Sequence, residues 1–186
     1  MSTTTMSNHN FCHTESVVAI FDTRDAMEAA CLAFQRQDFE MTTISLVCHD
    51  RGPQNDSPTY FDSQAAYPRD LWGMQFGFVI LAPQIGSVFI AGSIAVRTAY
   101  GLEATFGSRG FDQLSESLGC VGVPIDCCGR YESELQQGRL LLIVDGSHEH
   151  VADARLVLAA TQAVETTTHV DAAANGAPLP EHSPCA

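Results

Sequence analysis

The chain predicts a single α+β domain, a four-stranded sheet with helices that is interrupted between its second and third strands by an apolar, Gly/Pro-rich helical hairpin. Three observations predict it. Short apolar runs rich in β-branched residues alternate with segments of helical periodicity on both sides of the interruption. The 26 residues from Leu71 to Val96 carry no charge. The length, 186 residues, suits one domain with its own core.

Residues 1–14 are polar and aperiodic, and read as a disordered N-terminus. The domain spans 15–170. Ser16–Phe21 is an apolar run followed by Asp22 and Thr23 as helix caps, so it reads as a buried strand feeding a helix. Over 24–37, Met27, Ala30, Cys31 and Phe34 recur at i, i+3, i+4 and i+7, the stripe of an amphipathic helix. Thr42–Cys48 alternates, with Ile44 and Leu46 on one face and Thr43 and Ser45 on the other, as in a half-buried strand. After the insertion, Val123-Pro124 opens a helix whose apolar face is Cys128, Tyr131 and Leu135 and whose stop is Gly138. Leu140–Val144 is an apolar strand ended by Asp145-Gly146. Ser147 caps a helix lined by Val151, Ala154 and Leu158, and Val164–Val170 alternates as a last strand. Residues 171–186, rich in Ala, Gly and Pro, read as a disordered tail.

The insertion, 68–106, follows a polar loop (50–70) containing Pro53, Pro58 and Pro68. Its uncharged run is long enough for a transmembrane helix, but a single span would put the first strand-helix-strand unit on one side of a bilayer and the remaining strands on the other. Ala82-Pro83-Gln84-Ile85-Gly86 reads as a break between two helical legs. The first leg, at 1.5 Å per residue, is about 18 Å long, short of a hydrocarbon core of roughly 30 Å. A half-inserted or protein-buried hairpin is therefore expected. Trp72, Gly73, Gly77, Pro83, Gly86, Ala91, Gly92 and Ala95 are its candidate association residues, since small residues let backbones approach closely.

Charge narrows the functions. Twenty-two acidic residues against nine basic ones give a formal net charge of −13, and every basic residue is arginine. Such a domain repels phosphate backbones, which excludes nucleic acid as a partner, and without lysine it has no Walker-type loop or Schiff-base chemistry. The seven cysteines, with no secretory signal at the start, read as reduced thiols of a cytoplasmic or inner-membrane-associated protein that is not secreted. Cys127, Cys128, His148 and His150 are the metal-site candidates. The bland reading is preferred for each: adjacent cysteines on a helix diverge by about 100°, and His148 and His150 at i, i+2 do not share a helical face. Cys48-His49-Asp50 lacks an electropositive setting for a nucleophilic thiol.

Val17–Ala26, the block around Leu71-Trp-Gly and Pro83-Gln-Ile-Gly86, Gly122-Val-Pro124 leading to Arg130-Tyr-Glu132, and Gly138–Asp145 together resemble the bacterial general stress, or heat-induced stress, protein family. The resemblance covers about residues 16–170. It implies a ferredoxin-like α+β domain with an apolar hairpin, often associated with membranes, and no catalytic set. A parallel, flavodoxin-like arrangement of the same elements is the alternative fold, without a glycine-rich phosphate loop. The expectation is a non-enzymatic, stress-associated protein without a cofactor, whose hairpin mediates self-association into a homo-oligomer, membrane contact or docking into a larger assembly. The alternative is a small-molecule or metal/redox sensor using the Cys and His positions.

Overall fold

A computed structural model describes residues 15–49, 77–82, 84–104 and 113–170. Among them, six strands form one sheet: β1 (Glu15–Phe21), β2 (Ile44–His49), β3 (Gly77–Ala82), β4 (Gly86–Gly92), β5 (Leu140–Gly146) and β6 (Glu165–His169). The helices are α1 (Arg24–Arg36), α2 (Ser93–Ala104), α3 (Gln113–Cys120), α4 (Ile125–Gln136) and α5 (His148–Ala159). The sheet order is β3-β4-β2-β5-β1-β6 and every pairing is antiparallel. The chain is thus α+β. The parallel flavodoxin-like alternative is overturned, and the sheet has six strands where four were expected.

The two extra strands come from the insertion. The chain does reverse at 83–85, but the legs on either side are strands. An apolar run of six or seven residues fits a strand buried on both faces as well as a helix, and periodicity cannot separate the two. The β-branched and aromatic residues in Phe78-Val-Ile and Val88-Phe-Ile favour the strand. Ala82 pairs with Gly86 across a three-residue loop, Ile85 N–H donates to Ala82 O at 3.1 Å, and Gly86 takes the positive φ of 96° that such loops need. The predicted second leg, 86–106, is strand over β4 and helical from Ser93 to Ala104, as α2. Gly77, expected on a helix, lies in β3 opposite Ala91 on β4, where an added Cβ would meet Phe89 at 2.9 Å and Ala91 at 3.0 Å.

Helices cover both faces of the sheet. On one, α1 and α5 bury Met27, Cys31, Phe34, Val151 and Leu158 against Val17, Phe21, Leu46, Phe89 and Leu142. On the other, α2, α3 and α4 bury Ile94, Leu114, Leu118, Tyr131 and Leu135 against Val18, Ile20, Val47, Ile90 and Ile143. Double coverage explains why β1 and β5 read as unbroken apolar runs. It also corrects β2, expected to be half-buried: Ser45 is as inaccessible as Ile44 and Leu46. Its hydroxyl accepts the Ile94 N–H at 2.8 Å, capping the first turn of α2 from a neighbouring strand.

The predicted helix signals hold elsewhere. Thr23 Oγ1 accepts from Ala26 N–H at 3.2 Å, Ser147 Oγ accepts from His150 N–H at 3.3 Å, and Gly138 ends α4 at φ 86°. Helix α3 has no counterpart in the sequence reading. The ends 1–14 and 171–186, the loop 50–70, Trp72, Gly73 and Pro83 lie outside the described residues. No helix among the described residues is long and apolar enough to cross a membrane.

Candidate functional site

Side chains directly opposite each other on antiparallel strands point to the same face. Ser16 on β1 is opposite His169 on β6 and Asp145 on β5, so the three form a polar row across three strands. The row faces the α2–α4 layer, because Val18, Ile20 and Ile143, two or four residues along, pack there. All three residues are buried. Apolar neighbours cannot satisfy such groups, so each needs a polar partner.

Asp145 finds its partner in Arg97, one turn into α2. Arg97 Nη2 donates to Asp145 Oδ2, its Nε donates to Ser93 Oγ at 3.2 Å, and its Nη1 donates to the Cys120 carbonyl at 3.1 Å, at the end of α3. Ser93, the acceptor of that Nε bond, also favours the charged form of the Asp145 carboxylate. One guanidinium therefore ties α2, α3 and β5 together. Burial pushes the Asp145 carboxyl above the usual carboxylate range, and the Arg97 charge, the Ser93 hydrogen bond and the more distant His150 oppose that rise. The second carboxylate oxygen, Oδ1, has no protein partner, and neither has the Ser16 hydroxyl.

At the other end of the row, His169 Nε2 and the Tyr131 hydroxyl stand 2.6 Å apart in a hydrogen bond. Burial raises the Tyr131 phenol to about 12, and burial followed by the Arg130 charge lowers His169, so both are neutral at neutral pH. Next to Tyr131, Arg130 donates to Glu165, and this hydrogen bond is the main reason the Glu165 carboxyl is held low. Helix α4 is thus fastened to the rim strand β6 at two points.

The metal candidates do not converge. Cys127 and Cys128 lie on α4, beneath one face of the sheet, while α5, which carries His148 and His150, covers the opposite face. His148 meets Glu15 at 2.9 Å, and His150 meets Thr43 Oγ1 at 2.8 Å with its ring against Phe39. Cys127 is buried like Cys128, although adjacent helical residues diverge, because α4 turns both toward the sheet and α3. Among the described residues Cys31, Cys48, Cys120 and Cys128 form no disulfide, whereas Cys127 is disulfide-bonded, which corrects the reading of all seven cysteines as reduced thiols. Burial raises Cys31 to about 12 and also raises Cys120, so neither is an activated thiol. No group of three or more His, Cys, Asp or Glu among the described residues is arranged to hold a metal ion. His49 turns Nε2 to the Ile85 carbonyl at 2.8 Å, which fastens the end of β2 to the β3–β4 loop.

Of the association residues, Gly77 lies on β3, Gly86, Ala91 and Gly92 on β4, and Ala95 on α2. Gly92 has a φ of 82°, and a Cβ there would collide with the Ile44 carbonyl, so it allows β4 to turn into α2. Ala91 and Ala95 are buried within the protein. In the sequence, Arg97 merely follows the uncharged run Leu71–Val96 and Asp145 merely ends the Leu140–Val144 strand. Their opposite signs at the ends of two such runs were the available signal for a pair. No protein-family model, curated protein or solved structure matches this chain.

Proposed function

We propose that this protein is a non-enzymatic association module in which two copies pair through the free edge of β3. The observation that carries the reading is the character of that edge. Strand β3 ends the sheet, and no further strand pairs with it among the described residues. Gly77–Ala82 holds no charge and no proline, the usual devices that keep an edge from pairing. Its faces are already in use: Val79 packs toward the α1/α5 side, and Ile80 and Ala82 are buried toward the α2–α4 side. What remains to offer is a row of backbone donors and acceptors. Pairing β3 with the same strand of a second copy would join two sheets by main-chain hydrogen bonds.

The finer fold reading belongs with this proposal. We read β1, β2, β5 and β6 as a ferredoxin-like core to which the β3–β4 hairpin adds two strands. The order β6-β1-β5-β2, the alternating directions and the placement of α1 and α5 on one face support that. A role in bacterial stress rests on the family resemblance of the sequence motifs alone.

The test is the mass in solution of the full chain by light scattering, beside Val79→Lys, which places a charge on the edge strand where a long side chain can reach water. A dimer that becomes a folded monomer in the variant is the expected outcome. A monodisperse wild-type monomer at micromolar concentration would end the proposal.

A further inference from the structure

The polar row contains two atoms without a protein partner, on residues that face each other across β1 and β5. Ser16 and Asp145 are opposite each other on β1 and β5, with 0% and 1% of their surfaces accessible. Both Ser16 Oγ and Asp145 Oδ1 lack a hydrogen bond to protein. A buried, unpaired hydroxyl costs about 1–3 kcal/mol, and an unpaired carboxylate oxygen costs more. Two such atoms on adjacent positions of one sheet face therefore describe a single site.

We propose that this site holds one internal water molecule, which donates a proton to Asp145 Oδ1 and bonds the Ser16 hydroxyl. Charge selects the guest. Arg97 already neutralises the carboxylate through Oδ2, so a cation would bury a net positive charge, while an anion would face Oδ1. The guest is thus neutral and must carry a donor for Oδ1. Size selects it further, since opposite side chains on adjacent strands begin only about 4.5–5.5 Å apart at Cβ, room for a guest of about one heavy atom. Buried water typically occupies such places, with two to four polar partners.

The water has a structural role. Arg97 joins α2, α3 and β5, while Tyr131 and His169 join α4 and β6. Ser16 lies between these two groups and makes no side-chain bond to either. A bridging water connects β1 to the Arg97–Asp145 pair and supplies the acceptor Oδ1 with its missing donor.

A crystal structure of the full chain at a resolution that shows ordered solvent tests the site directly. An isolated peak about 2.6–3.2 Å from both Ser16 Oγ and Asp145 Oδ1 is expected. Direct donation from Ser16 Oγ to Asp145 Oδ1 with no atom between them overturns the proposal, and so does a site without density. Ser16→Ala gives a second readout that does not depend on crystals. Removing a water ligand lowers the thermal midpoint by a few degrees, whereas removing an unpartnered hydroxyl leaves it unchanged or raised, and that second result also overturns the proposal.

Discussion

Two glycines at positive φ separate conformational strain from steric collision. At Gly86, with φ 96°, a Cβ would approach only His49 Nε2, at 3.9 Å, so Gly86→Ala is expected to cost about 1–2 kcal/mol, the left-handed penalty alone. At Gly92 the same penalty is joined by a collision with the Ile44 backbone, which cannot move without breaking the β2–β4 ladder. Gly92→Ala is expected to cost about 3 kcal/mol or more. Urea denaturation of the two variants measures both, and equal losses would remove the steric argument. His169 makes a second residue-scale prediction. Its folded pKa lies below the ordinary value of 6.5, so the unfolded chain binds more protons in the interval between them. Its contribution to stability is fully present above 6.5 and is lost as pH falls through that interval. His169→Gln removes this component, which a comparison of urea midpoints at pH 7.5 and about pH 5.5 detects. Asp145 works in the opposite sense, because its raised carboxyl makes a contribution that declines as pH climbs above 3.8. Neither ionisable group of the polar row was visible as a partner in the sequence, because the strand register that brings His169, Ser16 and Asp145 together involves residues about 130–150 positions apart in the chain.

Elements whose apolar spacing is distinctive were legible; those set by tertiary context were not. Met27, Ala30, Cys31 and Phe34 mark the buried face of α1 both in the sequence and in the fold. The helical reading of 77–82 and 86–92 failed because Phe78–Leu81 and Val88–Ala91 have no period of their own, and the length of the combined run suggested helices. The turn was found because Pro and Gly specify reversals locally. Helix α3 was missed because it is only eight residues long and its buried side includes Ser117. At the far rim, β6 (Glu-Thr-Thr-Thr-His) has little apolar surface, and its attachment depends on α4 through Arg130–Glu165 and Tyr131–His169. Tyr131→Phe keeps the ring and removes the hydroxyl, stranding His169 Nε2. Faster hydrogen exchange confined to β6, with β5 amides unchanged, is expected by mass spectrometry. Equal acceleration in both strands would show that the hydroxyl supports the core as a whole and does not act at the rim.

For the whole molecule, charge and shape act against each other. Two copies brought together at β3 each carry a net charge of −13, so their approach is opposed by long-range repulsion that salt screens within about 10 Å at 0.1 M. Self-association is therefore expected to tighten several-fold between low and moderate ionic strength. Sedimentation equilibrium in a sodium chloride series measures it, and weakening with salt would point to an interface held by ion pairs. The same acidity that was read from composition as excluding nucleic acid would thus set the conditions for the proposed association. The α+β class was legible because strands alternate with helices, but the edge position of β3 was not, because an edge is a property of strand order.

That order has one more consequence. Among the described residues the sheet ends in β3 on one side and β6 on the other, two borders of unlike chemistry. A contact between two β3 strands related by a two-fold axis uses the same border on each copy and leaves only β6 borders outward. Growth into a fibre would require a β6 border to accept a third copy, and that border is a short run of threonines flanked by Glu165 and His169. Under the proposed pairing such an assembly would be self-terminating: once two copies had met, the adhesive side of each would be spent.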